Sequence, residues 1–264
     1  MKRLLTLVAL AATLTASAQV KVVKLWDNAS APHSNEDAGP QKEKNGNLYN
    51  TVDTELFIYP AAPDKATGQA VVVCPGGGYR FVSMPREGHE VGEWLSAEGI
   101  TVVALKYRLP NGHCQVPLED AEAALRYIRD HAAEYGVDPS RVGIMGFSAG
   151  GHLAASTAIL WDAEPVRQAL GICGKEALPD AVVLGYPVIT SGEFRHDGSI
   201  CNLCGDDAAL RGTMSLENQV SDGLPPFYIW HTVEDASVPV QNSMLLATAL
   251  TAHKVPFELH LFAH

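Results

Sequence analysis

The 264-residue chain is short of positive charge and of long apolar runs, and each shortage excludes something. Nineteen lysines and arginines stand against thirty acids, a formal net charge of -11, and the basic residues are scattered rather than clustered. A surface of that sign repels polyanions, so no nucleic-acid partner is expected. The apolar stretch near the N-terminus, Leu4 to Leu14, is about half of the roughly 20 residues that a membrane-spanning helix needs. With Lys2 and Arg3 before it and Ala16-Ser17-Ala18 after it, it reads as a cleavable signal peptide over residues 1–18, cut after Ala18, rather than as a stable membrane anchor. A secreted or periplasmic protein is expected, with a mature charge of -13, because residues 1–18 contain no acid.

Cysteine is scarce and unevenly placed. There are five, at Cys74, Cys114, Cys173, Cys201 and Cys204, and an odd number leaves at least one without a partner inside the chain. Cys201 and Cys204 form a CxxC, but no second CxxC follows and no thioredoxin-like pattern surrounds it. Neither a zinc site nor a redox pair is expected there. The remaining composition, 47% hydrophobic and 19% charged, suffices for a substantial buried core.

What is present is alternation. Residues 19–52 are polar and turn-rich and are expected to form an extended lead-in, followed by one domain over 53–264. Within that domain TELFIYP (54–60), AVVVCP (70–75), ITVVALKY (100–107), RVGIMG (141–146), AVVLGYP (181–187), PPFYIWHT (225–232) and FELHLF (257–262) read as strands. Helices are expected near 86–97, 118–131, 148–161 and 240–252; in the second, Ala121, Ala124, Leu125 and Ile128 recur on one face. An insertion over 188–223 interrupts the series. Strands alternating with helices predict an α/β fold with a mostly parallel central sheet and helices on both faces, because each parallel step needs a crossover.

Three stretches carry chemistry. Gly146 to Gly150 reads G-x-S-x-G between an apolar strand and a helix, where a tight bend would lift the Ser148 hydroxyl above the sheet edge; the alternative is a serine that merely caps the helix. Gly76, Gly77 and Gly78 follow an earlier strand and leave their N–H groups open to a developing oxyanion, although three glycines also suit a plain turn. No Lys-Ser/Thr pair follows them, which argues against a phosphate loop. After the PPFYIWHT strand come Glu234 and Asp235, either of which could orient a histidine or sit in a solvated turn.

In combination PGGGY (75–79), YRLP (107–110), DPSRVGIMGFSAGGHLA (138–154) and PPFYIWHTVEDASVPV (225–240) resemble α/β-hydrolases of the secreted carbohydrate-esterase type. The likeness is to acetyl xylan and feruloyl esterases and to hormone-sensitive-lipase-like esterases with their HGGG loop, and it runs from about residue 54 to the end. The resemblance implies the α/β-hydrolase fold, with Ser148 as nucleophile, Asp235 as triad acid and the N–H groups of Gly77, Gly78 and Ala149 as the oxyanion hole. It implies a serine carboxylesterase that removes short acyl groups, acetyl or feruloyl, from plant polysaccharide such as xylan, with no cofactor and no metal. Pro75 stands where the loop of relatives has a histidine. Relatives commonly carry leucine where Cys204 stands, which favours packing for that thiol.

The base is the unsettled member. Of the ten histidines, His152 lies one helical turn past Ser148 and is expected to pack or hydrogen-bond, and His231 to shape the acid loop. His264 qualifies by position alone. Relatives, however, carry F-x-x-G-x-H-G after the last strand, and starting that pattern at Phe262 places the histidine three residues beyond His264. The chain is therefore expected to be C-terminally truncated, missing its closing helix, with His264 a neighbour of the base. Two rivals remain: a non-catalytic carbohydrate-binding or scaffold protein on a hydrolase fold, and a peptidase of the prolyl-oligopeptidase kind, whose usual propeller domain has no room here. The insertion is expected to overhang the pocket.

Overall fold

A computed structural model describes residues 19–35, 38–164 and 166–264. The expected signal peptide falls on residues 1–18 and so lies outside the described residues. Among those described, no helix is long and apolar enough to cross a membrane.

The continuous apolar runs become the centre of the sheet. Every residue of β5 (Ala70–Cys74) and β7 (Thr101–Lys106) is buried, as a strand covered on both faces requires. With β1 (Lys21–Asp27), β4 (Asp53–Tyr59), β8 (Val142–Phe147), β9 (Val182–Gly185), β10 (Phe227–Thr232) and β11 (Phe257–Phe262) they form an eight-stranded sheet in the order β1-β4-β7-β5-β8-β9-β10-β11. The β1/β4 and β4/β7 pairs are antiparallel and all later pairs parallel. Loops leaving β5, β8, β9 and β10 therefore emerge at one end of four adjacent strands, the end at which α/β sheets hold their ligands.

The crossovers are α1 (Glu90–Ala97), α2 (Gln115–Asp130), α3 (Ala149–Ile159) with the short α4 (Val166–Leu170), and α7 (Gln241–Ala252). Ala121, Ala124, Leu125 and Ile128 of α2 are fully buried, the face their spacing predicts. The helix begins at Gln115, before the expected 118, because Pro117 is tolerated in a first turn, whose N–H groups have no intrahelical partner. The insertion carries α5 (Asp197–Cys204) and α6 (Ala208–Thr213).

The lead-in departs from expectation. Residues 21–27 are an edge strand of the main sheet, while β2 (Lys42–Lys44) and β3 (Asn47–Tyr49) join β6 (Phe81–Val82) in a small antiparallel sheet. An edge strand exposes one face, so its composition reads as polar: Val22 is 54% exposed, whereas Val23 and Leu25 pack on the core. Buried polar contacts complete the attachment. The Trp26 indole donates to Asp120 at 2.7 Å, and Arg108, with no exposed surface, donates from Nε and Nη2 to the same carboxylate. Arg108 Nη1 reaches the His33 carbonyl, and Glu119 accepts from the His33 N–H at 3.2 Å.

Candidate active site

Between Phe147, the last residue of β8, and Ala149, the first of α3, Ser148 alone makes the turn, with φ 53° and ψ -120°. A serine in that region costs on the order of 1–3 kcal/mol and persists only where its surroundings fix it. They do: its N–H donates to the Gly185 carbonyl at 3.0 Å, and its own carbonyl accepts from the N–H groups of Val188 and His152 at 3.0 and 3.1 Å. The flanking glycines are steric requirements. A Cβ at Gly146 would lie 2.1 Å from the Gly150 carbonyl oxygen, and one at Gly150 would lie 2.1 Å from that of Cys74.

The glycine loop is held from three sides. Tyr107 Oη donates to the Pro75 carbonyl at 2.7 Å, the Gly76 N–H donates to Glu87 Oε2 at 2.6 Å, and Asn202 Nδ2 donates to the Gly78 carbonyl at 2.9 Å. Gly77 and Gly78 have φ of 130° and 64°, which only glycine adopts without strain. Among the described residues no acceptor takes the N–H groups of Gly77, Gly78 or Ala149. Three unanswered donors near one serine suit a developing negative charge.

Asp235 lies in the turn after β10. Its Oδ1 accepts from the N–H groups of Ser237 and Val238 at 2.8 and 2.9 Å, leaving Oδ2 3.6 Å from His231 Nε2. That imidazole is already committed, donating from Nε2 to the Val238 carbonyl and accepting the Ser243 hydroxyl at Nδ1, so it shapes the acid loop. Ser148, Gly77, Gly78 and Asp235 line one cleft of about 480 Å³.

His152, His264 and His196 each have other partners. His152 is buried between the Tyr79 hydroxyl and the Met214 carbonyl, and burial pulls its pKa down to about 4, so at neutral pH it is an uncharged packing and hydrogen-bonding residue. His264 Nδ1 pairs with Glu234 Oε2 at 2.9 Å and is largely exposed. His196, which lines the cleft from the insertion, accepts the Ser199 N–H as the cap of α5. All five cysteines are free thiols, and burial among core residues pushes Cys204 up to about 12. Among the described residues no group of histidines, cysteines and carboxylates gathers to hold a metal.

Glu87, Tyr186, His196 and Asn202 also line the cleft, and none was singled out from sequence. Glu87 lies in a wide helical turn, Met84–His89, that runs into α1. Burial pushes its carboxyl above the usual range, against the lowering effect of its hydrogen bonds from the Gly76 N–H and the Tyr186 hydroxyl. The lone acid of MPREGH carries no motif, so nothing local marks it.

The BD-FAE family model matches residues 56–189, just over half of the chain. The chain belongs to the BD-FAE family. Endo-1,4-beta-xylanase B of Butyrivibrio fibrisolvens is 38% identical over 216 residues, which are 78% of this BD-FAE chain and 33% of that protein. The acetylxylan esterase of Xylanibacter ruminicola is 37% identical over 184 residues, 67% of this chain and 36% of its own. The chain thus spans about a third of the length of these curated relatives. Among solved structures, an acetyl ester-xyloside bifunctional hydrolase from Caldicellulosiruptor lactoaceticus matches with a TM-score of 0.71 at 40% identity, over 81% of this chain and 79% of that one. The fold is that of an α/β-hydrolase.

Proposed function

We propose that the protein is a serine carboxylesterase that removes short acyl groups, acetyl foremost, from plant polysaccharide such as xylan. One observation carries the reading: a serine held at positive φ shares a cleft with amides that have no acceptor among the described residues and with a carboxylate that keeps one oxygen available. The Ser148 hydroxyl attacks the ester carbonyl carbon, and its proton passes to an imidazole oriented by Asp235 Oδ2. Chain order in this fold puts that histidine on the loop after β11.

Charge gathering on the carbonyl oxygen is met by the N–H groups of Gly77, Gly78 and Ala149. Collapse breaks the bond to the sugar oxygen, which takes the proton from the imidazolium and departs as a hydroxyl, leaving an acyl group on Ser148 Oγ. Water, deprotonated by the same imidazole, then attacks the acyl carbon, and the imidazolium returns that proton to Ser148 Oγ as the free acid leaves. Acetylxylan esterase activity in a relative's name supports acetylated xylan as the substrate. A polymer of that size is met outside the cell, in keeping with the signal peptide proposed over residues 1–18.

The test is turnover of p-nitrophenyl acetate and of acetylated xylan by the full-length protein beside its Ser148→Ala variant. The variant is expected to lose at least about a thousandfold in kcat. Equal turnover by the two would remove Ser148 from the reaction, and cleavage of a prolyl peptide nitroanilide in preference to esters would favour a peptidase.

A further inference from the structure

We propose that Glu87 is the positioning residue that sets the width of the oxyanion hole, an inference that rests on the esterase reading above. The donors of that hole come from two separate places: Gly77 and Gly78 from the loop after β5, and Ala149 from the elbow after β8. Both must aim at one oxygen with an accuracy of about half an ångström, so the gap between the two places has to be fixed by something.

Glu87 spans it. Its Oε2 accepts the Gly76 N–H at 2.6 Å, next to the loop donors, while its Oε1 accepts the Tyr186 hydroxyl at 3.0 Å. Tyr186 directly follows Gly185, the residue whose carbonyl accepts the Ser148 N–H. One carboxylate therefore ties the glycine loop to the strand end on which the elbow rests. The Pro75–Gly76 peptide is gripped at both edges, by Tyr107 Oη at its oxygen and by Glu87 at its nitrogen. Because both groups facing Glu87 are donors, each oxygen serves as an acceptor, the role an ionised carboxylate fills best.

The fit leaves little freedom. A Cβ at Gly76 would stand 2.9 Å from Glu87 Oε2, 2.7 Å from the Phe147 carbonyl oxygen and 3.1 Å from Ser148 Cβ. Tyr186 is itself held at φ 39°, so its hydroxyl reaches Glu87 from a constrained backbone. Pro75 offers no side-chain hydrogen bond of its own, and the steadying group comes from an acid eleven residues past Gly76.

The experiment uses the full-length protein, with active sites counted by a covalent serine reagent so that kcat refers to competent molecules. On p-nitrophenyl acetate, Glu87→Ala should lower kcat by roughly a hundredfold, the scale of losing one oxyanion donor, with KM changed less than about threefold. Glu87→Gln, whose amide oxygen still accepts the Gly76 N–H, should recover most of that loss. Tyr186→Phe should lower kcat several-fold in the parent protein and have no further effect beside Glu87→Ala, the pattern of two groups acting as one unit.

If Glu87→Ala fails to fold, the Glu87→Gln and Tyr186→Phe pair carries the same test. Unchanged kcat in Glu87→Ala or in Tyr186→Phe, a loss confined to KM, or independent multiplying losses in the double variant would overturn the role given to Glu87. A parent protein inert toward every ester would instead overturn the esterase reading, and this inference with it.

Discussion

Two polar centres sit at the ends of neighbouring parts of one sheet, and they are built to opposite rules. Around Arg108, just past β7, all three guanidinium nitrogens are answered by carboxylates, carbonyls or an amide oxygen, and no side-chain surface is exposed. Around Ser148, just past β8, three backbone donors have no acceptor among the described residues and the backbone is strained. The saturated centre fastens the N-terminal strand to α2. On the proposed esterase reading, the unsaturated one keeps its donors for charge that appears only during a reaction, when dipoles already in place need not reorganise. Completeness of hydrogen bonding, rather than polarity or burial, separates the structural cluster from the chemical one.

Variants can break this comparison in graded steps. The largest effect falls on Ser148→Ala: the thousandfold or greater loss of kcat should come with a melting temperature close to that of the parent, because Ala keeps the same backbone demand. Arg108→Met should do the reverse. Removing one partner from a buried ionic cluster costs about 3–5 kcal/mol, so urea denaturation should shift to a much lower midpoint while kcat per folded molecule holds. A variant that lost both properties in proportion would merge the two centres into one.

A smaller effect is expected at Glu122 of α2, fully buried with neither oxygen partnered and pushed up to about 8 by burial. The folded chain holds that proton more tightly than the unfolded chain does. This contribution to stability is complete below the ordinary carboxylate range, near pH 4.5, and is lost as the pH rises towards 8. Glu122→Gln should remove that slope, which denaturation midpoints at pH 5 and pH 8.5 would reveal; parallel curves for parent and variant would show that Glu122 does not titrate as described. The smallest effect belongs to Lys21→Gln, which breaks a pair with Glu134 in which both side chains are about half exposed. Solvent-screened pairs contribute little, and its melting curve should overlay the parent's.

The same contrast explains what was legible in the sequence. Ser148 could be read because its glycines are sterically compelled and adjacent, and β5 and β7 because burial on both faces writes an uninterrupted apolar run. Asp235 could be read from its place after a strand. Strand β1 was hidden, since its partners lie far along the chain, β4 in the sheet and Asp120, 94 positions from Trp26, and its outer face mimics a loop. Glu87 was hidden for a related reason: its partners, Gly76 and Tyr186, lie 11 and 99 positions away, and a single acid in a polar stretch has no period to betray it.

Asn202 of α5 grips the Gly78 carbonyl, and this link has a practical side. If the proposed esterase function holds, tailoring the insertion to accept a different sugar would also tug on a peptide unit of the glycine loop, which would couple preference mechanically to speed. Libraries that randomise this helix should keep Asn202 constant if the aim is to change what is bound without slowing how fast it is cut.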